Sequence, residues 1–384
     1  MPVERALPTE EAGDLLELTR DVVAKELGPR VARDEARGTF PRDVFTTLGA
    51  TGLLGLPYPS EYGGGDQPYE VYLQMVEELA AGWLAVGLGL SVHTLACFPV
   101  ATYGTEDQRR RLLPELLGGE LLGAYCLSEA HSGSDAAALA TRAEPEADGY
   151  RVSGGKTWIT HGGVADFYTL FARTGSPDSG AKGISCLHVP AATPGLEAQA
   201  PEQKMGMSSS PTAAVSFDGA LVAHQDRIGA EGQGFSIALA ALDSGRLGIA
   251  ACAVGLAQAA LDAAVDYAQQ REQFGQPIAN FQGVSFLLAD MATQVSAARE
   301  LYLSAARLRD RGHAYSRQAA MAKLFASDAA MRVTTDAVQV LGGYGYTTDF
   351  PVERFMREAK VLQIVEGTNQ IQRMVIGRSL TGQG

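Results

Sequence analysis

The chain has 384 residues, of which 46% are hydrophobic and 20% charged, and its formal net charge is −13. These values are typical of a soluble globular protein of two or three domains. The acidic balance argues against nucleic acid or an anionic membrane as the main partner. No uninterrupted apolar run reaches the ~18 residues of a membrane span. The N-terminus lacks the apolar core of a signal peptide, so the sequence predicts a cytoplasmic protein.

The cysteines and histidines show no pattern of a disulfide or metal site. The four cysteines are scattered without CxxC spacing, at Cys97, Cys126, Cys186 and Cys252. We expect them to be reduced and partly buried, because a free cysteine usually behaves as a small hydrophobic residue. The six histidines lack HExxH or any other metal-binding spacing, so no metal site is predicted.

The first 120 residues have a helical pattern. Apolar residues recur at helical intervals in residues 10–36, 41–56 and 70–90. A further helix is predicted to begin at Thr105, which is a good N-cap and is followed by two acidic residues in the first turn. We therefore predict an N-terminal α-helical domain over residues 1–120.

The character of the chain changes twice after that. Residues 149–174 and 212–222 are rich in β-branched and aromatic residues bounded by Gly, Asp and Pro, which predicts a middle β domain over residues 121–230. Helical periodicity with many small residues returns near residue 232 and predicts a C-terminal helical bundle over residues 231–384. The expected fold class is α+β, with helices, then strands, then helices.

Several familiar motifs are absent. The stretch before Lys156 is close to a P-loop, but the required glycine stands one position off, and a strand pattern follows where a P-loop enters a helix. No GxGxxG follows a predicted strand, which argues against a Rossmann nucleotide site. No GxSxG elbow supports a hydrolase triad.

Four separated regions carry the candidate functional residues. AYCLSEAHSGSD (124–135) offers several hydroxyls, and KTWIT (156–160) puts Trp158 two residues from Thr160, so both side chains should lie on one face of a strand. A flat ring with a hydrogen-bonding edge would suit that pair. The other regions are REQFGQPIANFQ (271–282), and QVLGGYGY (339–346) with VEGTNQIQR (365–373).

Together with LDSGRLGIA (242–250), these regions resemble the acyl-CoA dehydrogenases, FAD-dependent enzymes that desaturate acyl thioesters. The resemblance covers essentially the whole chain, and "LDSGR" and "QFGQPI" look closest to the short-chain and short-branched-chain branch. It implies N-terminal helices, a β-barrel-like middle domain and a C-terminal four-helix bundle. It also implies a homotetramer (a dimer of dimers) with FAD at a dimer interface, an acyl-CoA substrate, and an electron-transfer flavoprotein as electron acceptor.

Glu366 is the catalytic base that the resemblance implies. In the family's reaction a proton leaves Cα and a hydride leaves Cβ of the thioester, so the enzyme needs a strong base. An apolar site raises the pKa of a carboxyl group, and Ile364 and Val365 precede Glu366. The family further implies that the Glu366 backbone N–H binds the thioester oxygen together with a flavin hydroxyl. Taken alone, Glu366 is better explained as a cap of the final helix.

Gly245 removes a competing position for the base. In some branches, such as the isovaleryl-CoA enzymes, the base stands immediately before the arginine of the LDxxR stretch. That position is Gly245 here, and glycine cannot supply a carboxylate. Glu366 is therefore the only candidate at either family position.

The resemblance implies flavin contacts from all four regions. Trp158 would cover one face of the isoalloxazine and Thr160 would hydrogen-bond near N5, although Trp158 is also explained as a sheet-core residue. Arg271 suits a pyrophosphate because its guanidinium binds in a bidentate way, although it is also explained as a solvated charge at a helix end. The remaining matches are Tyr125, Leu127, Ser128 and Ser134 near the isoalloxazine; Gln282, Gln339, Gly342 and Gly343 from a neighbouring subunit; and Thr368 and Gln370.

The substrate contacts implied by the resemblance are Ser134, Asp243, Ser244, Arg246 and Gly367. Asp243 and Arg246 are three residues apart on a predicted helix, so a simple surface ion pair stays open as an alternative.

Four positions depart from the family pattern. Val365 stands where many members have tyrosine, which predicts a differently shaped or more open thioester pocket. His161 stands where asparagine is common and either tunes the flavin or has a structural role. Ala130 and His131 replace a turn that usually contains proline.

Two other functions stay open at this point. An oxidase would pass the electrons to oxygen, but the compact length disfavours the acyl-CoA oxidases. A catalytically silent flavin- or acyl-CoA-binding protein is the second alternative. The joint presence of Glu366, Trp158, Thr160 and Arg271 argues against it.

Overall fold

The computed structural model describes residue 3 and residues 5–382. The helices before the sheet are α1 (Glu10–Val22), α2 (Val31–Arg37), α3 (Arg42–Ala50), α4 (Tyr69–Gly82), α5 (Leu84–Tyr103) and α6 (Glu106–Leu117). The helices after it are α7 (Gly234–Gln270), α8 (Gln282–Asp310), α9 (Ser316–Leu341), α10 (Val352–Leu362) and α11 (Asn369–Thr381). This order confirms the predicted fold class.

The start of α6 shows how local sequence determines a helix end. The Thr105 hydroxyl accepts the Gln108 backbone N–H at 3.2 Å, and the Gln108 side chain accepts the Thr105 N–H at 2.8 Å. This capping box satisfies two donors that a helix end leaves unpaired. The Gln108 amide also donates to the carbonyls of Gln225 and Arg227, at 2.7 and 2.8 Å, and so connects α6 to the sheet region.

The sheet has eight strands: β1 (Gly123–Cys126), β2 (Arg142–Glu146), β3 (Gly149–Thr160), β4 (Phe167–Arg173), β5 (Ile184–Pro190), β6 (Leu196–Ala198), β7 (Thr212–Ala223) and β8 (Arg227–Ile228). Their order is β6-β7-β3-β2-β4-β5-β8, and β1 pairs in parallel with β4. A small hairpin of β9 (Glu272–Gln273) and β10 (Gln276–Pro277) follows α7.

One hydrophobic core joins the helices at the two ends of the chain. Buried side chains of α4, such as Val76 and Leu79, belong to the same cluster as Val254 and Leu256 of α7 and Tyr302 of α8. The two helical domains that the sequence separates therefore share their interior. Other clusters lie between α5, α6 and one side of the sheet and within the sheet itself.

Within the described part of the chain, two helices, α5 and α7, are long and apolar enough to cross a membrane. Most of the apolar segment of each is buried inside the protein, 89% in α5 and 72% in α7. Helix α5 buries side chains around nearly its whole circumference, which is the pattern of a central core helix.

A buried ion pair connects β3 to the loop after β1. Lys156 is 1% exposed, and its Nζ donates to the Leu127 carbonyl at 3.0 Å and to Glu129 at 2.7 Å. Glu129 also accepts the backbone N–H groups of Ala140 and Thr141, at 2.7 and 2.9 Å. Burying both charges is tolerable because each has several partners. Lys156 lies within a strand, in agreement with the rejection of a P-loop.

The four cysteines are free and buried, which confirms that they form no disulfide.

Candidate active site

Glu366 lies in the short turn between α10 and α11. Its φ is 55° and that of Gly367 is 86°, so two consecutive residues have left-handed backbone, which costs about 1–3 kcal/mol for a residue other than glycine. The N-cap of α11 is Thr368, whose hydroxyl accepts the Ile371 N–H at 3.3 Å. Glu366 therefore does not cap the helix, and the alternative explanation from sequence is wrong.

The Glu366 carboxylate lies directly against α7. A Cβ atom added to Gly245 would be 2.8 Å from Glu366 Oε2 and 3.2 Å from the Leu95 side chain of α5. Oε2 is buried and has no hydrogen-bond partner among the residues that the structure describes. The position that bears the base in some relatives is thus adjacent to the carboxylate in this chain. Only glycine leaves room for it there.

The environment of Glu366 makes it a stronger base than a free glutamate. Burial raises the pKa of Glu366 to about 7, although the positive charges of Arg246 and Lys323 act in the opposite direction. A carboxyl with a pKa near the working pH is well matched to accept a proton from carbon.

The apolar surroundings differ from those expected. Ile364 is 53% exposed and does not enclose the carboxylate, so that part of the expectation is wrong. Val365 is partly buried and packs against the large helical core. The side chain close to Gly245 is instead Leu95, which comes from α5, more than 250 residues earlier in the chain.

The predicted substrate residues at the start of α7 form a hydrogen-bonded group. Arg246 donates to Asp243, which also accepts the Ser316 hydroxyl at 2.8 Å. The Ser244 hydroxyl is 2.9 Å from the Tyr315 hydroxyl. The ion pair suggested by the spacing is therefore present, yet the buried Nε of Arg246 has no partner among the described residues. The role of this group in substrate binding stays a prediction.

Trp158 and Thr160 lie at a β-bulge. The pairing of β3 with β7 shifts by one residue between Lys156 and Ile159, and Trp158 has a left-handed φ of 65°. In a regular strand, Trp158 would point to the same buried side of β3 as Lys156, because the two residues are two positions apart. With the bulge, Trp158 is 62% exposed, while Ile159 is buried and Thr160 is partly buried. The explanation of Trp158 as a sheet-core residue is therefore wrong.

The loop after β1 lies beside this bulge. The Thr157 N–H donates to the Ser128 carbonyl at 2.9 Å, and Leu127 is bound through its carbonyl to Lys156. Tyr125 packs on Phe171 and donates to the Ala238 carbonyl at 3.3 Å. The structure thus brings Leu127 and Ser128 next to the bulge that bears Trp158, whereas Tyr125 contacts β4 and α7.

A second group of predicted residues lies at the other end of the bundle. An open groove of about 450 Å³ is lined by residues that include Arg271, Gly342 and Gly343, with Tyr344 beneath the Arg271 guanidinium. Gly342 ends α9 with a φ of 61°, a conformation that favours glycine. Gln339 is exposed in the last turn of α9, and Gln282 is exposed at the start of α8.

The residues around Glu366 and the groove at Arg271 lie at different points along α7. Arg246 and Arg271 are 25 residues apart on this helix and its C-cap, which corresponds to about 37 Å along the axis. One cofactor molecule cannot contact both ends within a single chain.

Other predicted site residues lie at the surface or in the turn. Ser134 and Gln370 are exposed, and Gly367 and Thr368 are partly buried in the turn next to Glu366. His161 is fully buried against Phe40 and Phe45, with Nδ1 2.9 Å from the Gly123 carbonyl. This position gives it a packing role, and its buried Nε2 has no partner among the described residues. An effect of His161 on the flavin stays a prediction.

Sequence reasoning missed Lys323 and Leu95. Lys323 is a single charged residue within an alanine-rich helical face, which is a detectable signal for a buried polar contact. Leu95 offers no such signal because it is one leucine among many in α5. Among the described residues, no group of three or more His, Cys, Asp and Glu side chains could hold a metal ion.

The observed residues fit a flavin dinucleotide. An exposed aromatic ring next to a hydroxyl suits a flat ring system, and an arginine beside a glycine turn suits a pyrophosphate. Together with a buried carboxylate of raised pKa, these features on a helix–sheet–helix fold indicate a flavin-dependent oxidoreductase.

Comparison with known proteins agrees with this class. Models of the acyl-CoA dehydrogenase N-terminal, middle and C-terminal domains match residues 9–120, 124–220 and 232–381. The chain belongs to the acyl-CoA dehydrogenase family and is an oxidoreductase.

Individual relatives cover nearly the whole chain. The acyl-CoA dehydrogenase of Bacillus subtilis (strain 168) is 47% identical over 375 residues, which are 97% of this chain and 99% of the relative. The structure of butyryl-CoA dehydrogenase from Megasphaera elsdenii is 42% identical, with a TM-score of 0.95, and covers 99% of this chain and 100% of that one. A chain solved in work on the electron transferring flavoprotein of Acidaminococcus fermentans is 42% identical, with a TM-score of 0.96 and 98% and 99% covered.

Replacement of Gly245 by alanine tests the contact between α7 and Glu366. The added Cβ would displace the carboxylate, so we expect Gly245→Ala to lower the rate of substrate oxidation by about tenfold or more. The fold should persist, because alanine favours a helix over glycine by about 1 kcal/mol. Gly13→Ala in α1, where an added Cβ meets no atom within 4 Å, is the matched control. Equal activities of the two variants would show that the contact is unimportant.

Proposed function

We propose that this chain is an FAD-dependent acyl-CoA dehydrogenase that desaturates a short acyl-CoA thioester, with Glu366 as the base that removes the Cα proton. Its proposed domains are residues 1–120, 121–230 and 231–384. The observation that carries the assignment of Glu366 is its buried Oε2, which has no hydrogen-bond partner in the described part of the chain and lies against Gly245.

The chemistry removes two hydrogens from adjacent carbons and leaves a double bond between them. Glu366 takes the proton of Cα, while the electron pair of that C–H bond stays on the substrate. FAD, when bound, supplies the acceptor for the hydride that leaves Cβ. Because the pKa of Glu366 is about 7, a large fraction of the carboxyl is ionised at neutral pH and can accept the proton.

The backbone beside Glu366 supports stabilisation of the enolate. Within residues 5–382 the Glu366 N–H makes no hydrogen bond to another group of the chain, so it can donate to the thioester oxygen. A donor that meets an oxygen as negative charge develops on it lowers the barrier to proton removal.

Trp158 and Thr160 support the position of the flavin ring. Trp158 offers an exposed face, and Thr160, which is partly buried, lies two residues further along β3. Tyr125, Leu127 and Ser128 would line the adjoining edge. The Thr368 hydroxyl caps α11 as an acceptor and can still donate to a cofactor, because a hydroxyl does both. Ser134 and Gln370 are the exposed members of the same proposed site.

The substrate proposal is a short acyl chain. Behind Gly245 and Leu95 the structure has a cavity of only about 10 Å³, closed by Tyr58, Tyr69 and other side chains. The Arg309 guanidinium lies 3.8 Å from the centre of the Tyr69 ring and completes this wall. A cavity of this size has room for about one water molecule, so it would not extend the acyl site in this direction for a long hydrocarbon chain. The similarity to a butyryl-CoA dehydrogenase supports the same conclusion.

The proposed CoA contacts are the group at the start of α7. Asp243, Ser244 and Arg246 lie one to two residues from Gly245, so a thioester placed at Glu366 would have its pantetheine near them. Gly367, next to Glu366 in the turn, is the remaining proposed substrate contact, and only its backbone could serve, because the position of a Cβ there lies 2.8 Å from Gln372 Nε2.

The proposed assembly is a homotetramer in which FAD bridges two subunits. The groove at Arg271, Gly342 and Gly343 is about 37 Å along α7 from the Glu366 region, so the two regions can serve one cofactor only if they come from different chains. Gln282 and Gln339 would belong to the same contribution from the neighbour. An electron-transfer flavoprotein is the proposed electron acceptor, as the similarity to a chain from work on such a flavoprotein suggests.

The role of Glu366 is tested by anaerobic bleaching of the flavin with butyryl-CoA. Glu366→Gln should bleach at least about 1,000-fold more slowly, because glutamine cannot accept the proton. In the wild type the rate should rise with pH and level off above an apparent pKa of about 7, because Glu366 is protonated below it. Fast bleaching by the variant would falsify the assignment of the base. Rapid peroxide formation in air by the wild type would favour an oxidase instead.

The size of the cavity predicts the substrate range. We expect kcat/KM for butyryl-CoA to exceed that for octanoyl-CoA by about tenfold or more, because overfilling a packed site costs about 1–3 kcal/mol. A panel of straight and branched acyl-CoA thioesters measures this directly. A preference for octanoyl-CoA would contradict the proposal of a short substrate.

The shared cofactor site predicts complementation between inactive variants. Glu366→Gln and Arg271→Glu should each be inactive as homo-oligomers. In a hybrid with one copy of each, one of the two sites would combine the intact Glu366 of one chain with the intact Arg271 of the other, and about half of the activity should return. Differently tagged chains allow the hybrid to be purified. A fully inactive hybrid would mean that both residues act within the same chain.

A further inference from the structure

Lys323 is a buried lysine directly beneath the turn that bears Glu366. It lies in α9 and is 0% exposed. Its Nζ donates to the Gly367 carbonyl and to the Asn369 side-chain oxygen, each at 2.9 Å. A buried lysine is costly unless its N–H groups have partners. Both partners here belong to the turn, so the lysine and the turn stabilise each other.

The turn needs such support because its backbone is strained. Glu366 and Gly367 both have positive φ, and a glutamate in that region keeps its conformation only where neighbouring contacts determine it. The Gln372 side chain donates to the carbonyls of Glu366 and Gly367, at 3.1 and 2.8 Å. Lys323 adds a second donor to the Gly367 carbonyl from outside the turn.

The same face of α9 also binds Asn369, the first residue of α11. The Asn369 amide donates to Ser327 Oγ at 2.9 Å and to Asp328 at 2.7 Å. Asp328 further accepts the Gln363 side chain at 2.7 Å, at the end of α10. Helix α9 therefore binds the residues on both sides of the turn, and Lys323 binds the turn itself.

Lys323 also acts on Glu366 through its charge. The groups that face Glu366 are Arg246 from α7, Lys323 from α9, and the hydroxyls of Tyr69 from α4 and Tyr125 from β1. Only the first two are cationic, and both favour the ionised carboxylate.

The proton content of Lys323 is sensitive to pH in the same range. Burial lowers the pKa of Lys323 to about 7, although the negative charges of Glu366 and Asp328 oppose this. Its two acceptors suffice for a neutral amine, which has two N–H groups, and leave one N–H of an ammonium without a described partner. The hydrogen bonds to the turn can thus persist while the charge changes.

We propose that Lys323 is the positioning residue of the catalytic turn: its amine binds the Gly367 carbonyl and Asn369 so that the Glu366 carboxylate stays against Gly245, and its ammonium form favours the ionised carboxylate. The inference rests on the proposed role of Glu366 as the base. It assigns to α9 an influence on both the position and the ionisation of the base.

Two substitutions separate the two effects. Lys323→Met removes the charge and the donors, whereas Lys323→Gln removes the charge and retains an N–H donor. The measurement is the single-turnover rate of anaerobic flavin bleaching by butyryl-CoA from pH 5.5 to 9, with FAD content and butyryl-CoA affinity determined in parallel.

We expect both variants to raise the apparent pKa of the rate profile by about one unit, because a nearby positive charge is lost. Lys323→Met should also lower the plateau rate by about tenfold or more, because the turn loses its donor. Lys323→Gln should keep a larger share of that rate. Lys25→Met, which removes an exposed lysine just after α1, is the matched control and should leave the profile unchanged.

Unshifted profiles in both variants would overturn the inference, and so would a loss of FAD or of thermal stability without any shift in pKa. If Lys323→Met does not fold, the profile of Lys323→Gln decides the question of charge by itself. The Glu366→Gln variant shows which proposal has failed. If Glu366→Gln bleaches fast, Glu366 is not the base and the proposed function fails. If Glu366→Gln bleaches slowly but the Lys323 variants have unshifted profiles, only the role of Lys323 fails.

Discussion

The contact between the Glu366 carboxylate and the backbone of Gly245 is the constraint on which the site depends. It requires a glycine in the middle of a long helix, where any Cβ would lie 2.8 Å from Oε2. It also requires the left-handed turn at Glu366 and Gly367, because that turn directs the carboxylate away from its own helices and toward α7. Burial in this contact leaves Oε2 without a partner in the described structure and raises the pKa of Glu366. The contact with Gly245 therefore fixes the position of the Glu366 carboxylate and also makes it a stronger base.

The rest of the protein supports that contact from several directions. Helix α5 of the N-terminal domain supplies Leu95, α7 supplies Gly245, and α9 supplies Lys323. These helices can meet because the first and last domains share one hydrophobic core. The sheet contributes an exposed ring at a bulge, and the buried pair of Lys156 and Glu129 stabilises the adjoining loop. Each domain thus supplies one wall of the site, and none of them contains it alone.

The length of α7 gives the molecule two separate functional ends. Its N-terminal half bears the residues around Glu366, and its C-cap is Arg271 at the edge of the second groove. A rigid helix keeps these ends about 37 Å apart, so a cofactor that needs both must lie between chains. Under this proposal assembly becomes a condition of activity, because an isolated chain would have only part of the cofactor site next to each base.

Sequence by itself determined the order of helices and strands, the Thr105 helix start and the family, because these depend on local propensity, periodicity and motifs. It also proposed Glu366 as the base and excluded Gly245, since residue type alone decides whether a carboxylate is present. Only the tertiary structure showed that Thr368, not Glu366, caps α11, that a bulge turns Trp158 outward, and that Ile364 is exposed. It alone placed Leu95 and Lys323 beside the turn. These features depend on contacts between segments far apart in the chain, and no local pattern encodes the distances across such contacts.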